Sequence, residues 1–266
     1  MVPRAVEILQ AVDLIAAEDT RHSAKLMQHY AINTPLVAYH DHSDSAKVDS
    51  LVERLLRGDS VALISDAGTP LISDPGYRLV KTAREHGIPV VPIPGPCALI
   101  AALSASGLPS DRFAFEGFPP AKAVARGNFF LALSQDPRTL IFYESPHRVL
   151  DSLMAMVDAF GADRRVVLAR EISKTFETIL SAPLHELIQT VRDDANQQRG
   201  EIVLLVQGYA APKLQQGLVP ETERLLRILL DELPLKQAAA LAARITGEKK
   251  NTLYKWALEN SGDAEK

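Results

Sequence analysis

The order of apolar and polar positions along the chain alternates between two periods. Ala5, Val6, Ile8, Leu9 and Val12 recur at helical spacing over residues 3–12. They run straight into Leu14-Ile15-Ala16-Ala17, a short unbroken apolar run that predicts a buried strand ending at Glu18-Asp19-Thr20. A polar helix through Met27 and a second strand at Leu36-Val37-Ala38-Tyr39 follow. A helix over 47–57 then leads across Gly58-Asp59 to a third strand, Val61-Ala62-Leu63-Ile64. A helix over 77–85 leads across Gly87 to a fourth expected strand, Ile88 to Ile93. Continuous apolar strands alternating with helices predict a parallel sheet covered on both faces.

The rhythm changes after Gly107-Leu108-Pro109-Ser110-Asp111. Strands are expected at 113–118, 140–143, 166–169, 178–180 and 202–206, with helices after Pro119-Pro120, from Pro146 to Phe160, and over 184–193. Strands now follow one another with fewer helices between them, which predicts a mixed sheet and a second domain. Residues 208–219 read as a linker. Leu225, Leu226, Leu229, Leu230 and Leu233 then form an amphipathic helix stopped at Pro234, and helices over 236–244 and 250–258 flank a turn at Thr246-Gly247. Helix, glycine turn, helix is the pattern of a helix-turn-helix. The expected division is an N-terminal α/β domain at 1–110, a second α/β domain at 111–208 and a helical extension at 218–266.

Composition adds limits. The 266 residues carry a net charge of −4, so bulk electrostatics do not make this a protein that coats nucleic acid. The extension is a local exception: five Lys or Arg against one Glu lie between Lys236 and Trp256, either a solvated lysine face on a helical cap or a nucleic-acid contact. The single cysteine, Cys97, excludes an intrachain disulfide and fits a reducing compartment, so a cytoplasmic location is expected. No apolar run is long enough for a membrane span, and no secretory leader opens the chain.

Chemistry concentrates where predicted strands end, the place at which ligands bind open α/β sheets. Ser65-Asp66-Ala67-Gly68-Thr69-Pro70 and Ser73-Asp74-Pro75-Gly76 follow the third strand. Gly68 and Gly76 allow close approach to a ligand, and Asp66 and Asp74 offer carboxylates to hydroxyls or a cation; structural turns are the plainer account. Pro94-Gly95-Pro96-Cys97-Ala98 suits backbone amides against a flat ligand. Neither segment is a phosphate cradle of the G-x-x-x-x-G-K-[ST] or G-x-G-x-x-G kind, which favours a nucleotide-like ligand without phosphates over ATP or NAD. His40, His42 and Asp44 invite a metal reading, without a convincing further ligand nearby. Tyr143-Glu144-Ser145-Pro146-His147-Arg148 and Arg170-Glu171-Ile172-Ser173-Lys174 end two later strands, with charges suited to RNA phosphates or to an exposed ion-pair network.

These segments together resemble the ribosomal RNA small-subunit methyltransferase I family, cytidine 2′-O-methyltransferases of the tetrapyrrole-methylase-like superfamily. The resemblance rests on Ala16–Arg21, Ser65–Gly76, Pro92–Ala98, Leu108–Phe113, Thr139–Arg148, Gly200–Val206 and Lys249-Lys250-Asn251-Thr252-Leu253-Tyr254, and it spans essentially the whole chain. It implies a two-domain α/β fold with S-adenosylmethionine between the domains, a homodimer, and a cytidine of the small-subunit ribosomal RNA as substrate. On that basis Asp66, Gly68, Thr69, Pro96, Cys97, Ala98 and Tyr143 are expected to frame the cofactor. Glu18, Asp19, Glu144 and Lys174 are the candidates for catalysis, and Arg21, Arg148, Lys249 and Lys250 for RNA contact. No metal is expected. A porphyrinoid methylase, a non-catalytic RNA-binding factor and a metal-dependent hydrolase are the rival functions. Two departures stand out. The family's opening strand with its Pro-x-Gly-Asn-Leu loop precedes the segment corresponding to Pro3 and is not in this sequence, so a sheet short of one strand and a pocket short of one wall are expected. Ala123-Val124-Ala125-Arg126-Gly127-Asn128 replaces a more basic stretch.

Overall fold

A computed structural model describes residues 1–40, 45–211 and 218–260. The chain divides into two compact units, Met1–Tyr209 and Ala210–Lys266.

In the first unit, helix α1 (Pro3–Ala11) opens on a proline at its start and leads into β1 (Leu14–Ala17). Then come α2 (Thr20–His29), β2 (Leu36–Ala38), α3 (Ser45–Leu56), β3 (Val61–Ile64) and α4 (Tyr77–Glu85). The sheet is parallel in the order β2-β1-β3. Strand β1 is central and wholly buried, and its residues divide between the two faces. Ile15 packs with Leu9, Met27 and Ile32, whereas Leu14 and Ala16 pack with Val48, Leu51, Val52 and Leu79. The sheet is thus helix-covered on both sides, as the unbroken apolar strands predict.

The fourth expected strand does not form. Residues 88–93 have no regular structure, Val91 is 63% exposed, and β3 is an edge of the sheet. Pro89 and Pro92 lack the N–H groups a ladder needs, and an apolar run becomes a strand only when a neighbour accepts its hydrogen bonds.

Helix α5 (Ala98–Ser106) follows, then β4 (Phe113–Gly117), α6 (Ala123–Ala132), β5 (Thr139–Glu144) and α7 (Val149–Phe160). Next are β6 (Arg165–Arg170), β7 (Thr178–Pro183), α8 (Leu184–Asp193) and β8 (Ile202–Val206). The second sheet is mixed, in the order β4-β5-β8-β6-β7, with β4 and β5 parallel and the remaining pairs antiparallel. Helix α7 begins at Val149 rather than at Pro146, because Pro146, His147 and Arg148 form a turn. One face of the sheet carries Leu140, Phe142, Val166, Leu168 and Leu204 against α6, α7 and α8. The other carries Ile141, Val167, Ala169, Val203 and Leu205 against Leu99, Ala102 and Leu103 of α5. Helix α5 lies within the stretch 1–110 expected to form the first domain, yet it covers the second sheet.

The second unit holds α9 (Pro220–Glu232), α10 (Leu235–Thr246) and α11 (Lys250–Asn260) around Leu226, Ala238, Ala242, Leu253 and Trp256. Alanines on α10 permit close helix approach, and Gly247 closes α10 in the left-handed conformation. No helix among the described residues is long and apolar enough to cross a membrane.

Candidate functional site

The loop from Ser65 to Gly76 is held in a costly backbone shape. Gly68, Leu71, Ser73 and Gly76 all have positive φ, at 87, 72, 60 and 139°. A bulky residue such as Leu71 rarely adopts that region, and such outliers concentrate at ligand sites. Gly76 has no alternative, since a Cβ there would lie 2.6 Å from Leu63 Cδ2.

This loop meets the one before α5. The Thr69 hydroxyl donates to the Pro96 carbonyl at 3.0 Å, and a Cβ on Gly68 would sit 3.4 Å from the same oxygen. Cys97 is the residue before α5 and its side chain does not cap the helix. The Leu99 amide donates to the Tyr143 hydroxyl at 3.3 Å, which ties the loop to the second sheet. Burial raises the pKa of Tyr143, keeping its hydroxyl protonated. Asp66, Gly68, Thr69, Pro96, Cys97, Ala98 and Tyr143 therefore lie around one place.

Glu18 and Asp19 directly follow β1 beside this loop. The Asp19 amide donates to Asp66 Oδ1 at 3.2 Å, and the Asp66 amide to Glu18 Oε2 at 3.4 Å. The Asp19 carboxylate caps α2, accepting from the Arg21 amide at 2.8 Å and the His22 amide at 3.3 Å. The Arg21 amide is the main cause of its lowered pKa. Arg21 itself projects into solvent with 92% of its side chain exposed.

At the equivalent end of the second sheet, strand alternation separates Tyr143 from Glu144. Tyr143 faces α5, so Glu144 faces α7. There its carboxylate is fully buried, accepting from the Ser152 hydroxyl and from the Ser145 amide at 2.7 Å, and pairing with Arg148 at 3.0 Å. This buried carboxylate, with three partners, holds Arg148 in place. The sequence marks Glu144 as a candidate because it ends a strand, but what its carboxylate meets there depends on Ser152, eight residues downstream on α7.

Lys174 is also engaged. Partial desolvation works against its ammonium, but Glu171 at 2.8 Å and Glu201 at 3.2 Å outweigh it and raise its pKa. Glu171 and Ser173 take positive φ of 51 and 66°. Glu171 also accepts from the Glu201 amide at 2.8 Å. Gly200 makes room for this: a Cβ there would collide with the Glu171 side chain, and its φ of +78° disfavours any other residue. Gly200→Ala is expected to destabilise the first unit by about 1–3 kcal/mol. An unchanged urea midpoint would show that Glu171 can move aside freely.

In the helical unit, Lys249 and Lys250 are exposed at the turn and first residue of α11. His42 and Asp44 lie outside the described residues, and those described gather no group of three or more His, Cys, Asp or Glu able to hold a metal.

The chain is a methylase by family: it belongs to the Tetrapyrrole (Corrin/Porphyrin) Methylases, whose family model matches residues 1–188, the part that carries the first sheet and these loops. Residues 216–261 match the RsmI C-terminal HTH domain. Over 260 residues the chain is 60% identical to Ribosomal RNA small subunit methyltransferase I of Pseudomonas aeruginosa, covering 98% of this chain and 92% of that protein. It is 58% identical over 259 residues to the protein of the same name from Escherichia coli O157:H7, covering 97% and 90%. In fold it is similar to cobalt precorrin-4 methyltransferase, with a TM-score of 0.57, 16% identity and 78% and 88% of the two chains covered. Diphthine synthase gives the same TM-score at 13% identity, with 78% and 84% covered.

Proposed function

We propose that the protein transfers a methyl group from S-adenosylmethionine to the ribose 2′-hydroxyl of a cytidine in small-subunit (16S) ribosomal RNA, in the cytoplasm and as a homodimer. The observation that carries this reading is the pairing of a methylase α/β unit with a basic helix-turn-helix unit, alongside relatives at 58–60% identity named for small-subunit ribosomal RNA. A porphyrinoid methylase needs no such appendage, and a non-catalytic RNA-binding factor needs no strained ligand loops, so neither rival is favoured. Residues 1–110 would form the cofactor domain, 111–208 the second α/β domain and 218–266 the RNA-contacting extension.

S-adenosylmethionine supplies an electrophilic methyl on a sulfonium. Asp66, Gly68, Thr69, Pro96, Cys97, Ala98 and Tyr143 would hold it: the Asp66 carboxylate for hydroxyl or ammonium groups, the α5 amides for an anionic group, and Gly68 for close approach. Methyl transfer is largely a matter of placing the ribose oxygen in line and removing its proton. Of the expected catalytic set, Glu18 is held by one long bond of 3.4 Å, and we assign it the proton-accepting role. Asp19 fixes the strand end, Glu144 aims Arg148, and Lys174 supplies positive charge. Arg21, Arg148, Lys249 and Lys250 would meet phosphates. The two lysines at the start of α11 oppose the helix dipole, at a cost of about 0.3–1 kcal/mol each, which a phosphate partner would offset.

The test uses the full chain with labelled S-adenosylmethionine and small ribosomal subunits lacking the modification. Label released on digestion as 2′-O-methylcytidine is the expected result. Label found only on a tetrapyrrole, or none at all, would overturn the reading. Asp66→Ala should weaken S-adenosylmethionine binding about 10–150-fold, the worth of a hydrogen bond to a charged group. Titration calorimetry showing undiminished affinity would remove Asp66 from the cofactor site.

A further inference from the structure

A side chain outside all the sets named so far stands at this site. Phe118 directly follows β4, at the carboxyl end of the parallel β4–β5 pair. The residue is 54% exposed. It contacts the edge of Tyr143 at a centroid distance of 5.7 Å and an interplanar angle of 65°, and Tyr143 in turn meets Phe115 at 4.8 Å. Since Tyr143 accepts from the Leu99 amide, Phe118 is one ring away from the α5 loop assigned above to the cofactor.

The backbone on either side of the ring is constrained. Gly117 turns the chain with a φ of +69°, and Pro119, which is buried, and Pro120 fix the backbone that follows. The Ala121 carbonyl is then held by Arg126 Nη1 at 3.2 Å. Arg126 is itself 5% exposed and is paired with Asp151 at 3.6 Å. A buried arginine, a turn glycine and two prolines thus hold one aromatic ring out into water. Lys122 is exposed on the same loop, and Arg148 and Lys174 follow strands that end on the same side of the sheet. An exposed ring with a lysine on its own loop and further cations at the same end of the sheet matches an RNA base with its flanking phosphates, because any base offers a π-face and carries a phosphate on each side.

We propose that Phe118 is the stacking platform for an unpaired base of the RNA substrate, holding the target nucleotide out of its stack beside the cofactor loop. This rests on the ribosomal RNA reading. A nucleotide held out of its stack can bring its ribose hydroxyl close to the cofactor loop, and a ring that replaces the lost stacking offsets the cost.

The test compares the full chain with Phe118→Ala, Phe118→Leu and Phe118→Tyr on small ribosomal subunits lacking the modification, with titration of S-adenosylmethionine and thermal melting as controls. Phe118→Ala should lose about 5–150-fold in kcat/KM for the subunit, mostly through KM, while binding S-adenosylmethionine as before. Phe118→Tyr should restore most of the loss and Phe118→Leu should not. Full restoration by leucine would mean packing rather than stacking and would overturn the proposal. So would an unchanged kcat/KM in Phe118→Ala accompanied by a change in oligomeric state on light scattering, which would place the ring at a protein interface. Parent protein inactive on subunits would overturn the ribosomal RNA reading, and with it this inference; parent activity with an indifferent Phe118→Ala would overturn the inference alone.

Discussion

Glu18→Gln is expected to lower kcat on small ribosomal subunits by about 100-fold or more, the usual contribution of a general base. Affinity for S-adenosylmethionine should stay within a few-fold. Glutamine keeps the side-chain oxygen that accepts from the Asp66 amide at 3.4 Å, so the strand ends should remain in register. What it removes is the capacity to take a proton from a ribose hydroxyl. Asp19 offers a contrast on the neighbouring position. Its carboxylate is committed to two amides of α2, so Asp19→Asn should act on the cap rather than on the chemistry. Single-turnover rates at saturating cofactor separate the two outcomes. A Glu18→Gln enzyme with the parent rate would return the proton-accepting role to solvent or to another group.

Phe142→Ala is expected to cost about 3–5 kcal/mol, the range for removing a fully buried phenylalanine. Phe142 is wholly buried and meets Phe130 at 5.5 Å and Phe129 at 6.0 Å, so three rings from α6 and β5 lose their common contact. At about 2–4 °C per kcal/mol for a unit of this size, the melting temperature should fall by roughly 6–20 °C. The site residues themselves would be untouched. Activity measured well below the transition should therefore persist, which distinguishes a lost core from a lost site. A shift under about 2 °C would mean that α6 collapses into the space.

How far the sequence carried can be judged from particular elements. Leu14–Ala17, Val61–Ile64 and Ile202–Val206 were legible as strands because short unbroken apolar runs bounded by turn residues suit a sheet covered on both faces. The stop at Pro234 and the turn at Gly247 followed from backbone geometry that neighbours do not alter. The same local reasoning failed at 88–93, whose apolar residues look like those of β3 but whose hydrogen bonds need a partner strand. It also failed at Pro146, a helix-starting residue that instead sits in a turn drawn tight by Glu144 and Arg148.

The candidate site divides in the same way. The sequence by itself marked the loops proposed to carry it: glycine, proline and acidic residues at strand ends are a one-dimensional signal, and it singled out Asp66, Gly68, Thr69 and Pro96. Only the tertiary structure decided what each side chain does there. Strand alternation sent Tyr143 toward α5 and Glu144 into the interior, and a helix eight residues on supplied Ser152 to hold it. Glu171 and Glu201 claimed Lys174, and a buried arginine on α6 held the loop that keeps Phe118 in water. Hydrogen bonding, ion pairing and exposure depend on distances between residues far apart in the chain, and no periodicity or composition records those distances.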